Sequence, residues 1–212
     1  FDHCQGQWSL PSTLVGPARG ASGITARVQP PQSVVLTWVD NNVNEISHHV
    51  ERSLAVPPAY QSIGGLLPRD STRFEDTDIA AHTLYAYRVL VTNANGSAVV
   101  GEAQVLTLPN QPSDLSVRAL APLALRVEWT DTNQVIVGCC EYVLRRKAED
   151  DSQWTEIPLP ARTVAYADEN LSGDTAYDYK LSARNDSGEP LAIESLAHFT
   201  LANLGSLQAT AT

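Results

Sequence analysis

The feature that most constrains how this chain folds is that it repeats itself. Leu36-Thr37-Trp38-Val39-Asp40 in the first half answers to Val127-Glu128-Trp129-Thr130-Asp131 in the second, and the two tryptophans stand 91 residues apart. Thr83-Leu84-Tyr85-Ala86-Tyr87-Arg88-Val89 answers to Thr175-Ala176-Tyr177-Asp178-Tyr179-Lys180-Leu181 at a spacing of 92. Asn93 and Gly96 return as Asn185 and Gly188 after 92 residues, and Thr107-Leu108 returns as Thr200-Leu201 after 93. A near-constant spacing over four landmarks implies two copies of one unit, since self-similarity at a fixed period marks a duplicated architecture. The join falls near Leu108-Pro109-Asn110-Gln111-Pro112. A length of 212 residues accommodates two domains of about 100 residues each.

Each copy has the pattern of β structure. Tyr85, Tyr87, Val89 and Val91 alternate with Ala86, Arg88 and Leu90; Tyr177, Tyr179, Leu181 and Ala183 alternate with Asp178, Lys180 and Ser182. Successive side chains of a strand point to opposite faces, so each first set shares one face. The second copy is the cleaner case because its outward set is wholly polar. Pro30-Pro31, Pro57-Pro58, Gly64-Gly65, Asn95-Gly96 and Ser187-Gly188 punctuate the chain as expected turns. Short strands with turn signals every ten or so residues predict an all-β sandwich rather than helices.

These residues resemble fibronectin type III domains, which carry an early-strand Trp, a Thr-x-Tyr-x-aromatic-x-aliphatic strand, then Asn and Gly at a hairpin. The first copy supplies Trp38, Thr83-x-Tyr85-x-Tyr87-x-Val89, Asn93 and Gly96; the second supplies Trp129, Thr175-x-Tyr177-x-Tyr179-x-Leu181, Asn185 and Gly188. Trp38-Val39-Asp40-Asn41-Asn42 followed by Val50-Glu51-Arg52-Ser53 looks like the versions attached to bacterial secreted enzymes and surface proteins. The resemblance covers residues 22–201 and implies two tandem immunoglobulin-like β-sandwiches. Residues 22–108 form the first and 109–201 the second. Residues 1–21 are then an N-terminal extension or linker. Residues 202–212 are a tail whose Leu207-Gln208-Ala209-Thr210-Ala211 looks like the first strand of a further repeat, or a strand that pairs with a neighbouring subunit. Two positions depart from the family pattern. His48 stands where an aromatic is usual, as Tyr142 does in the second copy. Cys139-Cys140 sit in a connection three residues longer than its counterpart.

In such a sandwich Trp38 and Trp129 are expected to fill the space between the sheets, with Tyr87 and Tyr179 beside them as core. Tyr85 and Tyr177 resemble the tyrosine corner, whose hydroxyl bonds to nearby backbone. Trp154 lies beside Glu149-Asp150-Asp151 on an expected hairpin and is the candidate contact residue; Trp8 has no repeat partner. The three cysteines leave four arrangements open: Cys4–Cys139, Cys4–Cys140, a vicinal Cys139–Cys140 bridge, or three free thiols.

Charge narrows the function. There are 24 acidic against 14 basic residues, a formal net charge of −10, which repels nucleic acid. No apolar run approaches the roughly 20 residues of a membrane helix. The chain opens at Phe1 without an initiator Met or a basic-then-apolar leader, as expected of a mature or excised fragment. His48 and His49 point to opposite faces of a strand and cannot share an ion, and no His-Glu-x-x-His, Gly-x-Ser-x-Gly or phosphate-cradling glycine loop occurs. The acidic pairs Glu75-Asp76-x-Asp78 and Asp168-Glu169 recur at equivalent places, as loop geometry does. Arg-Gly-Asp and Trp-Ser-x-Trp-Ser are absent. Asn-x-Ser sequons begin at Asn95, Asn170 and Asn185. No catalytic residue, cofactor or metal site is expected. The expectation is a non-catalytic structural spacer or protein-interaction module of an extracellular or cell-surface protein. Two other readings stand beside it: a self-assembling, strand-exchanging filament or adhesin subunit, and accessory domains of a secreted polysaccharide-degrading enzyme. The partners expected are a protein or a neighbouring subunit; a glycan has no residue arguing for it.

Overall fold

The computed structural model describes residues 22–41, 43–136, 138–195 and 198–199. The expectations for residues 1–21, including Cys4 and Trp8, and for 202–212 lie outside these.

The first copy runs through β1 (Ser22–Gln29), β2 (Ser33–Val39), β3 (Ser47–Leu54), β4 (Gln61–Pro68), β5 (Arg73–Asp76), β6 (Leu84–Asn93) and β7 (Gly96–Leu106). They form a three-stranded sheet in the order β1-β2-β5 and a four-stranded sheet in the order β4-β3-β6-β7. The second copy runs through β8 (Ser113–Ala121), β9 (Ala124–Thr130), β10 (Glu141–Ala148), β11 (Thr155–Leu159), β12 (Ala165–Asp168), β13 (Ala176–Arg184), β14 (Ile193–Glu194) and β15 (His198–Phe199). Its sheets are β12-β9-β8 and β11-β10-β13-β14, with β15 also on β13. The four sheets make two β-sandwiches, and the strand order of the first is repeated in the second.

Alternation along the strands explains the burial. On β6, Tyr85, Tyr87, Val89 and Val91 are buried, while Arg88 and Leu90 are half-exposed. On β13, Tyr177, Tyr179 and Leu181 are buried, with Asp178 and Lys180 toward solvent. Ala86 is buried along with its neighbours, because a methyl group is small enough to be covered from the outer face. In the second sandwich β10 registers Leu144 against Leu181 and against Ile157 of β11, and β9 registers Val127 against Val117 of β8. Trp129, Tyr142, Leu144, Leu159, Tyr179 and Leu181 belong to one apolar cluster. Trp38 and Trp129 are both buried, and each makes the same backbone bond, from Trp38 N to Thr72 O at 3.1 Å and from Trp129 N to Val164 O at 3.0 Å. Both tyrosine corners close over the same distance in sequence: Ala80 N donates to the Tyr85 hydroxyl and Ser172 N to the Tyr177 hydroxyl, each at 3.0 Å.

One expected turn is not a turn. Gly64-Gly65 lie inside β4, with φ of +69° and +72°. The register against β3 jumps there: His49 faces Leu66 but Val50 faces Ile63. The two glycines are a bulge, which needs left-handed backbone that residues with a Cβ adopt at a cost. Gly64 also faces the Phe74 ring, 2.1 Å from where a Cβ would sit, whereas nothing lies within 4 Å of the same point on Gly65.

Trp129→Ala removes the largest apolar ring of its cluster and should cost about 3–5 kcal/mol, while Tyr177→Phe loses only the corner hydrogen bond, about 1 kcal/mol. Denaturant unfolding of the two variants checks the ratio. Gly65→Ala should cost about 1–2 kcal/mol for left-handed backbone. Gly64→Ala should cost about 1–3 kcal/mol more, because its methyl meets Phe74; equal losses in the same titration would contradict that contact.

Candidate functional site

The aromatic residues that mark the repeat are occupied with structure. Tyr179 is fully buried; its hydroxyl donates to Asp168 Oδ2 at 2.7 Å, and Arg146 Nη1 donates to Asp168 Oδ1 at 2.6 Å. Burial, reinforced by that carboxylate, pushes the Tyr179 phenol well above its ordinary range. Both oxygens of Asp168 therefore serve the core. Asp76, its counterpart, accepts from the Asp78 backbone N–H at 3.1 Å, so the acidic pairs do organise their own loops.

Trp154, the expected contact residue, stands just ahead of β11 and is half-buried. Lys147 and Lys180 hold their ammonium groups 5.3 and 4.7 Å from its ring centre, a cation–π arrangement, and Lys180 also meets Glu194 at 2.6 Å. The ring is packed under charged stems on the outside of the sheet.

The most elaborated loop is 131–140, between β9 and β10, where the second copy is longer than the first. It is held from within. Asp131 Oδ1 accepts from the Tyr142 hydroxyl and, at 2.7 Å, from Asn133 N. Asn133 exchanges two bonds with Asn110, at 2.9 and 3.0 Å, and Thr132 donates to Gln111 O at 2.8 Å. Burial first, and then Asp131, pushes the Tyr142 phenol above its ordinary range, so it stays a donor. Beyond this anchor Ile136 N bonds to Asn133 O at 2.9 Å, and Cys139 and Cys140 are joined as a vicinal disulfide. This vicinal bridge is one of the arrangements open in the sequence; Cys4 lies outside the described residues. Asp131, Asn133, Ile136, the cysteine pair and Tyr142 line a depression of about 140 Å³. At the tip Val135 is 90% exposed.

The corresponding loop of the first sandwich also raises apolar side chains into solvent, Val43 at 89% and Ile46 at 63% exposed. Its base differs. Where Asp131 meets Tyr142, Asp40 faces the fully buried His48, whose Nε2 stands 3.9 Å from Asp40 Oδ1. His48 packs beside Trp38 as Tyr142 packs beside Trp129, with ring centres 6.0 and 5.7 Å apart.

A charged network on β10 and β13 was missed in the sequence. Arg145 holds Glu189 in a two-pronged grip, 2.9 and 3.0 Å, and Ser182 donates to the same carboxylate at 2.5 Å. Arg184 bonds Glu141 at 2.6 Å beside it. Glu189 lies past the hairpin, so no strand pattern marks it. The only clue is outward-facing arginines at Arg145 and Arg184, which register opposite Lys180 and Glu141.

No family model matches the chain. Its fold is similar to a two-domain fibronectin type III segment from chicken tenascin, with a TM-score of 0.52 at 11% identity, covering 85% of this chain and 99% of that one. It is also similar to the FN1–FN3 domains of chicken CNTN1, with a TM-score of 0.42 at 18% identity, covering 87% and 67%. The tenascin likeness shows the fold: fibronectin type III-like sandwiches in tandem.

Burial raises the Glu189 carboxyl, but the hydrogen bonds from Arg145 and Ser182 and the charges of Arg145 and Arg184 outweigh it, holding the group below its ordinary 4.5. A carboxyl lowered by folding stabilises above its unfolded value and loses that contribution as pH falls through the folded one. Glu189→Gln should cost about 1–3 kcal/mol at pH 7, and the difference from the parent should shrink as the pH is taken below 4.5. Denaturant titrations at pH 7 and pH 3 read both quantities.

Proposed function

We propose that this chain is a non-catalytic module of an extracellular or cell-surface protein, and that it meets a protein partner through the loop tips between the second and third strands of its sandwiches. The observation that carries this reading is the pair of equivalent loops that put Val43, Ile46 and Val135 into water, the second of them anchored at its base through Asp131, Asn133 and Tyr142. A rigid scaffold that presents loops is how sandwich domains recognise proteins. Exposed apolar side chains held at fixed positions supply contact area without a large ordering cost. Spacing neighbouring domains is compatible with the same architecture and needs no further residue.

The disulfide supports an oxidising compartment, since such bonds persist outside the cytosol. The likeness of Trp38–Asn42 and Val50–Ser53 to bacterial secreted and surface versions supports the same setting. Accessory service to a polysaccharide-degrading enzyme is a second reading, carried by that likeness alone. Self-assembly by strand exchange would involve residues 202–212, outside the described residues.

Binding of the purified chain to an array of extracellular proteins, beside a glycan array, tests the proposal. The expected result is a protein ligand lost on Val135→Asp or Val43→Asp, with light scattering giving a monomer mass at micromolar concentration. Hydrolysis of a polysaccharide by the chain alone, or a polymer in light scattering, would contradict it.

A further inference from the structure

The first sandwich contains a group of side chains that neither its core nor the loop tips use. Asp40 follows the end of β2, Glu45 lies in the loop leading to β3, and Asp70 lies in the turn between β4 and β5. One carboxylate oxygen from each lies within 4.8 Å of the others. Asp70 is exposed and meets Arg69 at 3.3 Å, on the solvent side. Glu45 is only 4% exposed, and both of its oxygens are buried with no hydrogen-bond partner. Next to the trio is His48: fully buried, both ring nitrogens without a hydrogen-bond partner among the described residues, and Nε2 3.9 Å from Asp40 Oδ1.

Physical chemistry makes this an unfinished arrangement. Buried polar groups find partners almost always, and a carboxylate taken from water without one costs several kcal/mol. Placing two further carboxylates within 4.8 Å adds like-charge repulsion. Among the described residues no Arg or Lys is paired with Glu45. In the second sandwich the equivalent aspartate takes Tyr142 and Asn133, and among the described residues no buried glutamate stands beside it. In the first sandwich that phenol is replaced by an imidazole and a buried glutamate is added.

We propose that Asp40, Glu45 and Asp70 hold a divalent cation, calcium in the first place, at the base of the loop between β2 and β3. Calcium binds oxygen at about 2.3–2.6 Å, so two oxygens on one ion are at most about 5.2 Å apart. The three carboxylates meet that limit. Three carboxylates, two from the β2–β3 connection and one from the β4–β5 turn, form a hard, all-oxygen donor set, which suits calcium and not zinc. Asp70 opens the site to water, giving an entry path and room for the water ligands that fill the coordination sphere. His48 stands behind Asp40, placed to orient that carboxylate as groups behind metal ligands do. The ion would pin the loop that carries Val43 and Ile46 to the turn after β4. The site does not depend on the partner proposed above and fails or stands separately from it.

The test uses the whole chain, stripped with a chelator and titrated with calcium, magnesium, manganese or zinc chloride by calorimetry, with thermal melts alongside. The expected result is calcium binding with a Kd of about 10⁻⁴–10⁻³ M, the range of extracellular modules, together with a melt that rises with calcium. Asp70→Asn, an exposed substitution that leaves folding intact, should weaken binding at least about tenfold, one carboxylate among three being lost. Glu45→Gln should abolish the calcium response. In chelator it should melt at or above the parent, because the unpartnered buried charge is gone. Asp178→Asn in the second sandwich should change nothing. The proposal is overturned by no heat and no melting shift at 10 mM calcium, by binding undiminished in Asp70→Asn, or by zinc or manganese binding more tightly than calcium.

Discussion

Everything in this molecule depends on burying one large ring pair per sandwich: a tryptophan on the second strand and a tyrosine on the sixth, repeated at 129 and 179. Sheets of short strands have little apolar surface per residue, so a few large side chains decide whether two of them close on each other. Trp38 and Trp129 provide that surface, and Tyr87 and Tyr179 lie fully buried in the same halves of the chain. Polar satisfaction then follows from position. The Tyr179 hydroxyl reaches Asp168, which in turn takes Arg146, and the corner tyrosines cap backbone at Ala80 and Ser172. The interior thus fixes where the loops leave the sheets.

The fold was legible because its signal is doubled. Period-two alternation around Tyr85 and Tyr177 gives the strands, and the 91–93 residue spacing says that the two halves share a plan. The tyrosine corners could be read as well, since their partners lie within five residues in the chain. Gly64-Gly65 were not legible. A glycine pair marks left-handed backbone equally in a turn and in a bulge, and only the register of β3 against β4 separates the two. The disulfide was open for a related reason: sequence gives the inventory of thiols but not which of them meet.

The candidate sites were the least legible part. Glu45 has nothing in its neighbourhood that marks it as buried, and Asp70 reaches it from the far side of β4. The Arg145–Glu189 grip likewise joins residues 44 apart. Such groupings are set by tertiary closure, whereas motif searches look for short spacings. A comparison of the two copies would have come nearest. Asp40 and Asp131 occupy the same place after the tryptophan, and asking what each one bonds to exposes the difference between His48 and Tyr142.

The central claim is that two sandwiches are each closed around their own tryptophan and tyrosines, leaving only loops and edges for function. Backbone amide hydrogen exchange tests it most directly, because protection follows the elements that open last. The account predicts that peptides covering Tyr85–Val91 and Tyr177–Ala183 exchange slowest in their respective halves, and that 131–140 exchanges faster than β9 and β10 on either side. Strand peptides around Tyr87 or Tyr179 that exchange as fast as the loops would contradict it.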